Sequence, residues 1–322
     1  MQEKELTVLS LFDGISCGRV AGKRAGLKIS KYYSSEVEPY PIIIADKNWP
    51  EDIPYRLGDV RNIDVSTLDK IDLLIGGSPC QSFSLAGKQN GMTTKEDIEV
   101  LTLDHYLELK SSGFEFEGQS YLFWEYMRIL TDIRKLNPGV LFFLENVNMT
   151  SKWEKVLTTA IGVSPIEINS ALVSAQNRKR LYWTNIPNVT QPEDKGIFLK
   201  DIVLLPTTHK DEIQGLIHSP KAIEYMNRQV KGGRNHWDFK HHSDILNPKS
   251  SAVVANFFKG VPYNVFKDWD VIRKFHPVEC ERLQTLPDGY TAGISDTQRY
   301  KAIGNGWTID GIAHIFKGII NE

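Results

Sequence analysis

Three stretches of the chain are apolar without alternation: LTVLSLF at residues 6–12, KIDLLIGG at 70–77 and PGVLFFLENV at 138–147. A strand that faces water on one side alternates polar and apolar residues. One that is covered on both sides reads as a continuous apolar run. These runs therefore need helices above and below them. The intervening segments supply that pattern. GRVAGKRAG, EPYPIIIADKNW and YLFWEYMRILTDIRKL read as helices, the last with apolar residues at three-to-four spacing. SKYYSSEV and, more briefly, YRLGDV read as strands, and SAQNRKRLYWTNI as a later one. Strands alternating with helices at this spacing predict an α/β fold with a mostly parallel sheet. Two helical stretches, at about 277–286 and 307–320, close the chain.

Ligands of such sheets bind beyond the carboxyl ends of the strands. At the first of these ends DGISCG forms a glycine turn, which lets backbone approach a ligand closely. The three-glycine fingerprint of dinucleotide sites is missing, so a nicotinamide cofactor is a weak reading. Glu36 ends the second strand, where a carboxylate can accept bonds from ribose hydroxyls. Asp59 follows in GDV and could accept from an adenine amino group. That order favours a nucleoside cofactor without a pyrophosphate, and S-adenosylmethionine fits. Cys80 then stands in GGSPCQSFS. A buried cysteine is usually an inert small hydrophobe, which suits Cys17 and Cys280. Cys80 instead follows a Gly-Gly-Ser-Pro turn at a strand end, where a nucleophile is the sharper reading.

Composition narrows the partners. Net charge is −2, so any nucleic-acid surface must be a local patch. The three cysteines form no CxxC pair, which leaves neither a disulfide framework nor a thiolate metal site to expect. No run approaches the roughly 20 apolar residues of a membrane span, and MQEKELTVLS does not read as a signal-peptide pattern. Action in the cytoplasm, in cytosol or nucleoid, is the expectation. Residues 188–272 are polar, with weak periodicity, and read as a smaller lobe. The divisions expected are 1–187, 188–272 and 273–322. Within the lobe, NRQVKGGRNHWDFKHH interleaves Arg228, Lys231 and Arg234 with aromatic residues; a solvated loop is the plainer reading of such a cluster.

Taken together, the motifs identify a resemblance. LFDGISCG, SSEV, GDV, GGSPCQSFS with GKQNG, FFLENV, QNRKRLYW, HPVECERLQTLPDGY and IGNGW occur in the order found in the DNA (cytosine-5)-methyltransferases. The resemblance spans nearly the whole chain apart from residues 188–272 and an insertion, MTTKEDIEVLTLDHYLELKSSGFEFE, at 92–117. Two departures stand out. Ser16 occupies the place of a glycine in the first motif, and Trp307 the place of a valine in the last. Both resemble the animal de novo type.

The resemblance implies a Rossmann-like methyltransferase domain with a target-recognition lobe. It implies S-adenosylmethionine as cofactor and double-stranded DNA as substrate. Cys80 becomes the thiolate that adds to carbon 6 of a flipped-out cytosine. Glu145 becomes the acid at ring nitrogen 3, and must be protonated near neutral pH, which burial behind LFFL favours. Asn146 orients the loop. Arg180 resembles the arginine on the base's carbonyl oxygen and Arg178 its loop- or phosphate-contacting companion. Phe12, Asp13, Gly14, Gly18, Glu36, Val37, Asp59, Val60, Pro79 and Asn305 would line the cofactor pocket. Gln81, Ser84, Gln176, Arg228, Lys231 and Arg234 would touch DNA. A monomer, with a cognate restriction endonuclease as a partner in the same system, completes the expectation. A transfer-RNA methyltransferase and a non-catalytic DNA-binding relative are the alternatives. The first lacks support from any Cys-Phe-Thr segment, and the second from any loss of catalytic residues.

Overall fold

Leu6–Leu11 (β1) lies parallel to Ile29–Ser35 (β2) on one side and to Leu73–Gly77 (β3) on the other. Leu141–Val147 (β4) extends the parallel set beside β3. Ile166–Asn169 (β5), Gln176–Asn177 (β6) and Lys179–Thr184 (β7) follow. β7 is antiparallel to β4 and carries β5 on its outer side, giving the order β2–β1–β3–β4–β7–β5. These features come from a computed structural model, which describes residues 5–79, 83, 92–205, 208–224, 243–261 and 263–320.

The apolar runs divide by strand period. Leu74, Phe142 and Leu144 enter one core cluster, with residues of Phe123–Leu136 and Ser151–Ile161. Leu73, Ile75 and Phe143 enter another, with Cys17–Ala25 (α1) and the late helix Ile309–Phe316. Cover on both faces is what continuous apolar strands require. Burial of each such side chain contributes about 1.5–3 kcal/mol. In chain order the remaining helices used below are Pro39–Asn48 (α2), Leu103–Ser111 (α3), Phe123–Leu136 (α4), Ser151–Ile161 (α5), Lys210–Gln214 (α6), Pro277–Leu283 (α7), Asp296–Asn305 (α8) and Ile309–Phe316 (α9).

Several expectations need correction. YRLGDV is not a strand. Only Arg56 bridges to Ser34; Gly58 then turns at φ +68°, and Asp59 caps the short 3-10 turn Val60–Asn62. The stretch at 277–286 is helical only over α7. α8 and β5 were not legible, because α8 is only weakly amphipathic and β5 has four residues.

Residues 188–272 contribute Ser243–Asp244 (β8), Ser250–Ser251 (β9) and Phe266–Asp268 (β10), and Val271–Arg273 (β11) runs one residue past that boundary. β9 pairs with β6. A third cluster joins Leu199, Phe257 and Phe266 to Phe275, Cys280, Leu283 and Ile303. Fully buried Arg273 spans the seam, donating to Asp268 at 2.9 Å and to both oxygens of Glu279 at 2.8 Å. An apolar core and a satisfied buried ion cluster thus tie this region to α7 and α8.

Candidate active site

β1 has β2 on one side and β3 on the other, so the chain reverses its direction of growth across the sheet between β1 and β3. That switch point opens a crevice at the carboxyl ends. Phe12, Gly14 and Ser16, at the β1–α1 turn, all have φ near +57°: +57°, +56° and +58°. The left-handed region is sterically costly for all but glycine, which explains why a glycine suits position 16. Ser16 occupies it while donating to Asp13 Oδ2 at 2.6 Å. Asp13 also accepts from the Tyr32 hydroxyl at 2.6 Å. Burial raises the Asp13 pKa against these bonds. The Asp13 side chain therefore braces the turn from inside. Gly18 lies further inside. A Cβ there would meet Ile75 Cδ1 at 2.2 Å and Tyr32 Oη at 3.0 Å, so its glycine serves helix–sheet packing.

The β2 end is bound to this turn. Glu36 accepts from the amides of Gly14 (2.8 Å), Val37 (2.8 Å) and Glu38 (2.9 Å). These take three of roughly four acceptor positions on a carboxylate. Val37 beside it is 61% exposed, an apolar surface open to a planar partner. Ser35 donates to Gly58 O at 2.7 Å, which brings the Asp59 turn alongside. Asp59 is held by Arg61 through its amide at 2.9 Å and its Nε at 3.0 Å, and these contacts lower its pKa. Val60 is buried beneath. A Cβ on Gly14 would meet nothing within 4 Å, so space lies over the turn. Asn305, at the end of α8, is exposed, and a Cβ on neighbouring Gly306 would lie 3.1 Å from Cys17 Sγ at the start of α1. Open space at a left-handed turn, an exposed apolar side chain and two acids on neighbouring turns suit a nucleoside bearing an amino-acid tail.

β3 ends in Gly77, buried Ser78 and Pro79. Asn146, itself buried on β4, donates from Nδ2 to Ser78 Oγ at 3.1 Å and Ser78 O at 3.3 Å. The Glu-Asn-Val motif is thereby fixed to the Pro-Cys turn. Cys80, Gln81 and Ser84 lie outside the described residues. Phe83 is buried in the core, with its ring centroid 5.8 Å from that of Trp153.

Glu145 pairs with Gly77 of β3 and with Tyr182 of β7. Arg180 lies two residues from Tyr182 on the same face, within diagonal reach. Its Nε forms an ion pair with Glu145 Oε1 at 2.9 Å, yet the N–H is not aimed along that line and meets no hydrogen-bond acceptor among the described residues. Beside the apolar strand that precedes it, the Glu145 carboxyl thus also has a guanidinium against it. Trp307 closes this corner. Its ring meets Phe143 edge-on at 5.4 Å, and its amide contacts Cys17 Sγ at 3.4 Å. Cys17 is an inert packing thiol, and burial pushes its pKa up to about 12.

Two expected contact residues are otherwise engaged. Gln176 is fully buried. It bonds Gln284 Oε1 at 3.0 Å and accepts from the Val253 amide at 3.2 Å, so its polar atoms are engaged within the chain. Arg178 is buried and donates to the carbonyls of Val253 (2.8 Å), Gly304 (3.3 Å) and Gly306 (3.0 Å). It is a clamp between the 188–272 region and the Gly-Asn-Gly turn. The alternating strand pattern of QNRKR could have signalled this, since it sends Gln176, Arg178 and Arg180 to one side. Arg228, Lys231 and Arg234 lie outside the described residues.

A basic surface not foreseen in the sequence lies beside α8. Lys259 and Lys301 sit over the Phe258 ring at 5.7 and 5.0 Å, and Lys259 also over Tyr263 at 5.6 Å. Lys274 Cδ lies 3.6 Å from the Cβ position of Gly260. None of these lysines has a carboxylate partner among the described residues. Their wide spacing in sequence hid the patch.

Comparison with known proteins follows the same lines. The model of the family described as C-5 cytosine-specific DNA methylase matches residues 6–107 and 206–321. The interval between them carries Glu145 and Arg180. The Type II methyltransferase M.HhaI of Haemophilus parahaemolyticus is 25% identical, with 98% of this chain and 95% of that protein aligned. The Type II methyltransferase M1.ScrFI of Lactococcus lactis subsp. cremoris is 27% identical over 92% of this chain and 74% of its own length. Among solved structures, Entamoeba histolytica methyltransferase EhMeth superposes with a TM-score of 0.72 at 13% identity, covering 99% of this chain and 98% of that one. S. pombe Dnmt2 methyltransferase gives 0.64 at 14%, covering 99% of both chains. At these identities the structures speak for the fold.

Proposed function

The chain belongs to the C-5 cytosine-specific DNA methylase family, and on that premise we propose that it transfers a methyl group from S-adenosylmethionine to carbon 5 of a cytosine flipped out of double-stranded DNA. DNA cytosine-5 methylation is the activity of the family. The cofactor, the duplex substrate and the residue roles are our reading. The observation that carries it is the Arg180–Glu145 ion pair at the carboxyl edge, whose Nε–H meets no hydrogen-bond acceptor among the described residues. A buried donor without an acceptor asks for a partner. Carbonyl oxygen and ring nitrogen 3 are neighbours on cytosine, and this donor–carboxyl pair complements them.

Phe12, Gly14, Glu36, Val37, Asp59, Val60, Pro79 and Asn305 would hold S-adenosylmethionine at the switch point. When bound, it supplies a methyl group on a positively charged sulfur. Carbon 5 of cytosine is a poor nucleophile. Addition of the Cys80 thiolate to carbon 6 makes it enamine-like, while Glu145 supplies a proton or hydrogen bond at nitrogen 3 and Arg180 binds the carbonyl oxygen. Charge that develops on the ring is thereby offset where it forms. After methylation a solvent-derived base takes the carbon 5 proton, the sulfur–carbon 6 bond breaks, and Cys80 regains its electron pair. A free cysteine has a pKa of about 8.5, so the site must favour the thiolate.

The target base has to leave the stack, at a cost of a few kcal/mol. Phosphate contacts offset that cost. Lys259, Lys274 and Lys301 are suited to make them, together with Arg228, Lys231 and Arg234. Residues 188–272 would then read the sequence. We further propose that the enzyme acts as a monomer in a bacterial or phage-infected cytoplasm, protecting DNA from a cognate restriction endonuclease. Tritium transfer from labelled cofactor to duplex DNA, followed by bisulfite sequencing, tests the proposal. 5-Methylcytosine in one sequence context is the result expected. Label in transfer RNA but not in DNA would refute it.

A further inference from the structure

The insertion at 92–117 folds against the wall of the candidate cofactor pocket. Thr93 and Thr94 bridge to Glu99 and Phe116, and α3 lies between. Met92, Val100, Tyr106 and Leu109 are buried in the same core cluster as α4. The polar contacts are more specific. The Tyr106 hydroxyl and the Lys110 ammonium both reach Oε1 of Glu125, a fully buried carboxylate on α4. Burial, reinforced by Glu125, raises the Tyr106 pKa, so the phenol remains a donor. Glu125 Oε2 accepts from Arg128 Nε at 2.7 Å. Arg128 then donates to Ile63 O at 3.1 Å and Val60 O at 3.2 Å. Those carbonyls belong to the turn that presents Asp59.

A second line runs in parallel. Phe116 stacks on Tyr121, with centroids 4.7 Å apart. The Tyr121 phenol faces the Arg61 guanidinium, which opposes the effect of burial on it. Arg61 in turn holds the Asp59 carboxylate through Nε at 3.0 Å.

We propose that the insertion positions the adenine-recognition turn Asp59–Ile63, with Glu125–Arg128 and Tyr121–Arg61 as the two connections, so that cofactor affinity depends on a segment that never touches the cofactor. The inference rests on the reading of Asp59 as the acceptor for the adenine amino group. Tyr106, Lys110, Glu125 and Arg128 act as positioning residues.

The test uses the full-length enzyme carrying Tyr106→Phe with Lys110→Met. Calorimetry would compare binding of S-adenosylhomocysteine and S-inosylhomocysteine, which lacks the amino group. Loss of these two donors is expected to weaken the adenosyl compound about 5–20-fold. The inosyl compound should lose less, and KM for DNA should stay within about twofold. Phe116→Leu probes the second connection independently should the first variant fold poorly, and should likewise narrow the adenosyl preference. Equal weakening of both compounds, or unchanged binding by folded variants, overturns the inference. If the unsubstituted enzyme binds neither compound, it is the cofactor reading itself that fails.

Discussion

Arg180 Nε stands 2.9 Å from Glu145 Oε1, brought there by the antiparallel register of β4 with β7. The pair is close, but among the described residues the N–H meets no hydrogen-bond acceptor. Removing such a donor from a preorganised site costs about 10²–10³ in kcat. Arg180→Ala should show that loss in single-turnover methylation. Arg180→Lys keeps the charge without the planar fork and should recover only part of it. Glu145→Gln should cost about 10²–10⁴, as for loss of an acid–base group. Because the two act on one ring, the double variant should fall well short of the product of the single effects.

Gly77 and Trp307 are a matched pair. A Cβ at Gly77 would lie 2.9 Å from the indole Nε1 and 3.3 Å from Glu145 Oε2. Gly77→Ala should lower activity, with an overpacking cost of about 1–3 kcal/mol in stability. Trp307→Val should relieve it. A double-mutant cycle on melting temperature and kcat checks the coupling; additive effects would contradict the contact.

Arg178 and Gln176 are predicted to matter for stability rather than for DNA affinity. Their side chains bond buried carbonyl, amide and side-chain groups across the β6–α8 seam. Arg178→Met strands several acceptors and should cost at least about 1.5–3 kcal/mol, the value of one hydrogen bond to a charged group. Chemical denaturation measures the loss. At a temperature where the variant is folded, its Kd for DNA should remain within a few-fold of the parent, whereas loss of a phosphate contact would lower the salt slope by about one.

Acid should destabilise the fold through two histidines. Burial depresses the pKa of both His218 and His276 below the ordinary 6.5; at His276 Arg299 acts with burial and Glu279 against it. Neutral His276 accepts the Val278 amide at 3.2 Å as a helix cap. The unfolded chain takes up these protons first. Their contribution is therefore full above 6.5 and is lost as pH falls through the depressed folded values. Melting temperature should drop from about pH 7.5 to 5.5. His276→Asn keeps a capping side chain that does not titrate, and should flatten that drop.

The sheet was legible because LTVLSL, LLIGG and LFFLENV are apolar on both faces, a pattern few other arrangements can cover. That Glu36, Pro79 and Glu145 share one edge was legible because parallel strands end there. What the sequence could not convey is which way a polar side chain turns. Gln176, Arg178 and Asp13 stand in motifs that resemble ligand-binding ones, yet buried carbonyls and hydroxyls elsewhere in the chain claim them. Lys259, Lys274 and Lys301 meet only through tertiary packing. The role of 92–117 likewise depended on Glu125 and Arg128, which read in sequence as ordinary charges on an amphipathic helix.

Fluorine at carbon 5 leaves no proton to remove, so a cysteine bonded to carbon 6 cannot depart after methylation. DNA in which 5-fluorocytosine replaces cytosine, incubated with the enzyme and S-adenosylmethionine, should yield a complex that survives denaturant. Peptide mapping should place the linkage at Cys80, and Cys80→Ser should give none. Methylation of ordinary DNA by the Cys80→Ser enzyme, or a linkage at any other residue, would contradict the account.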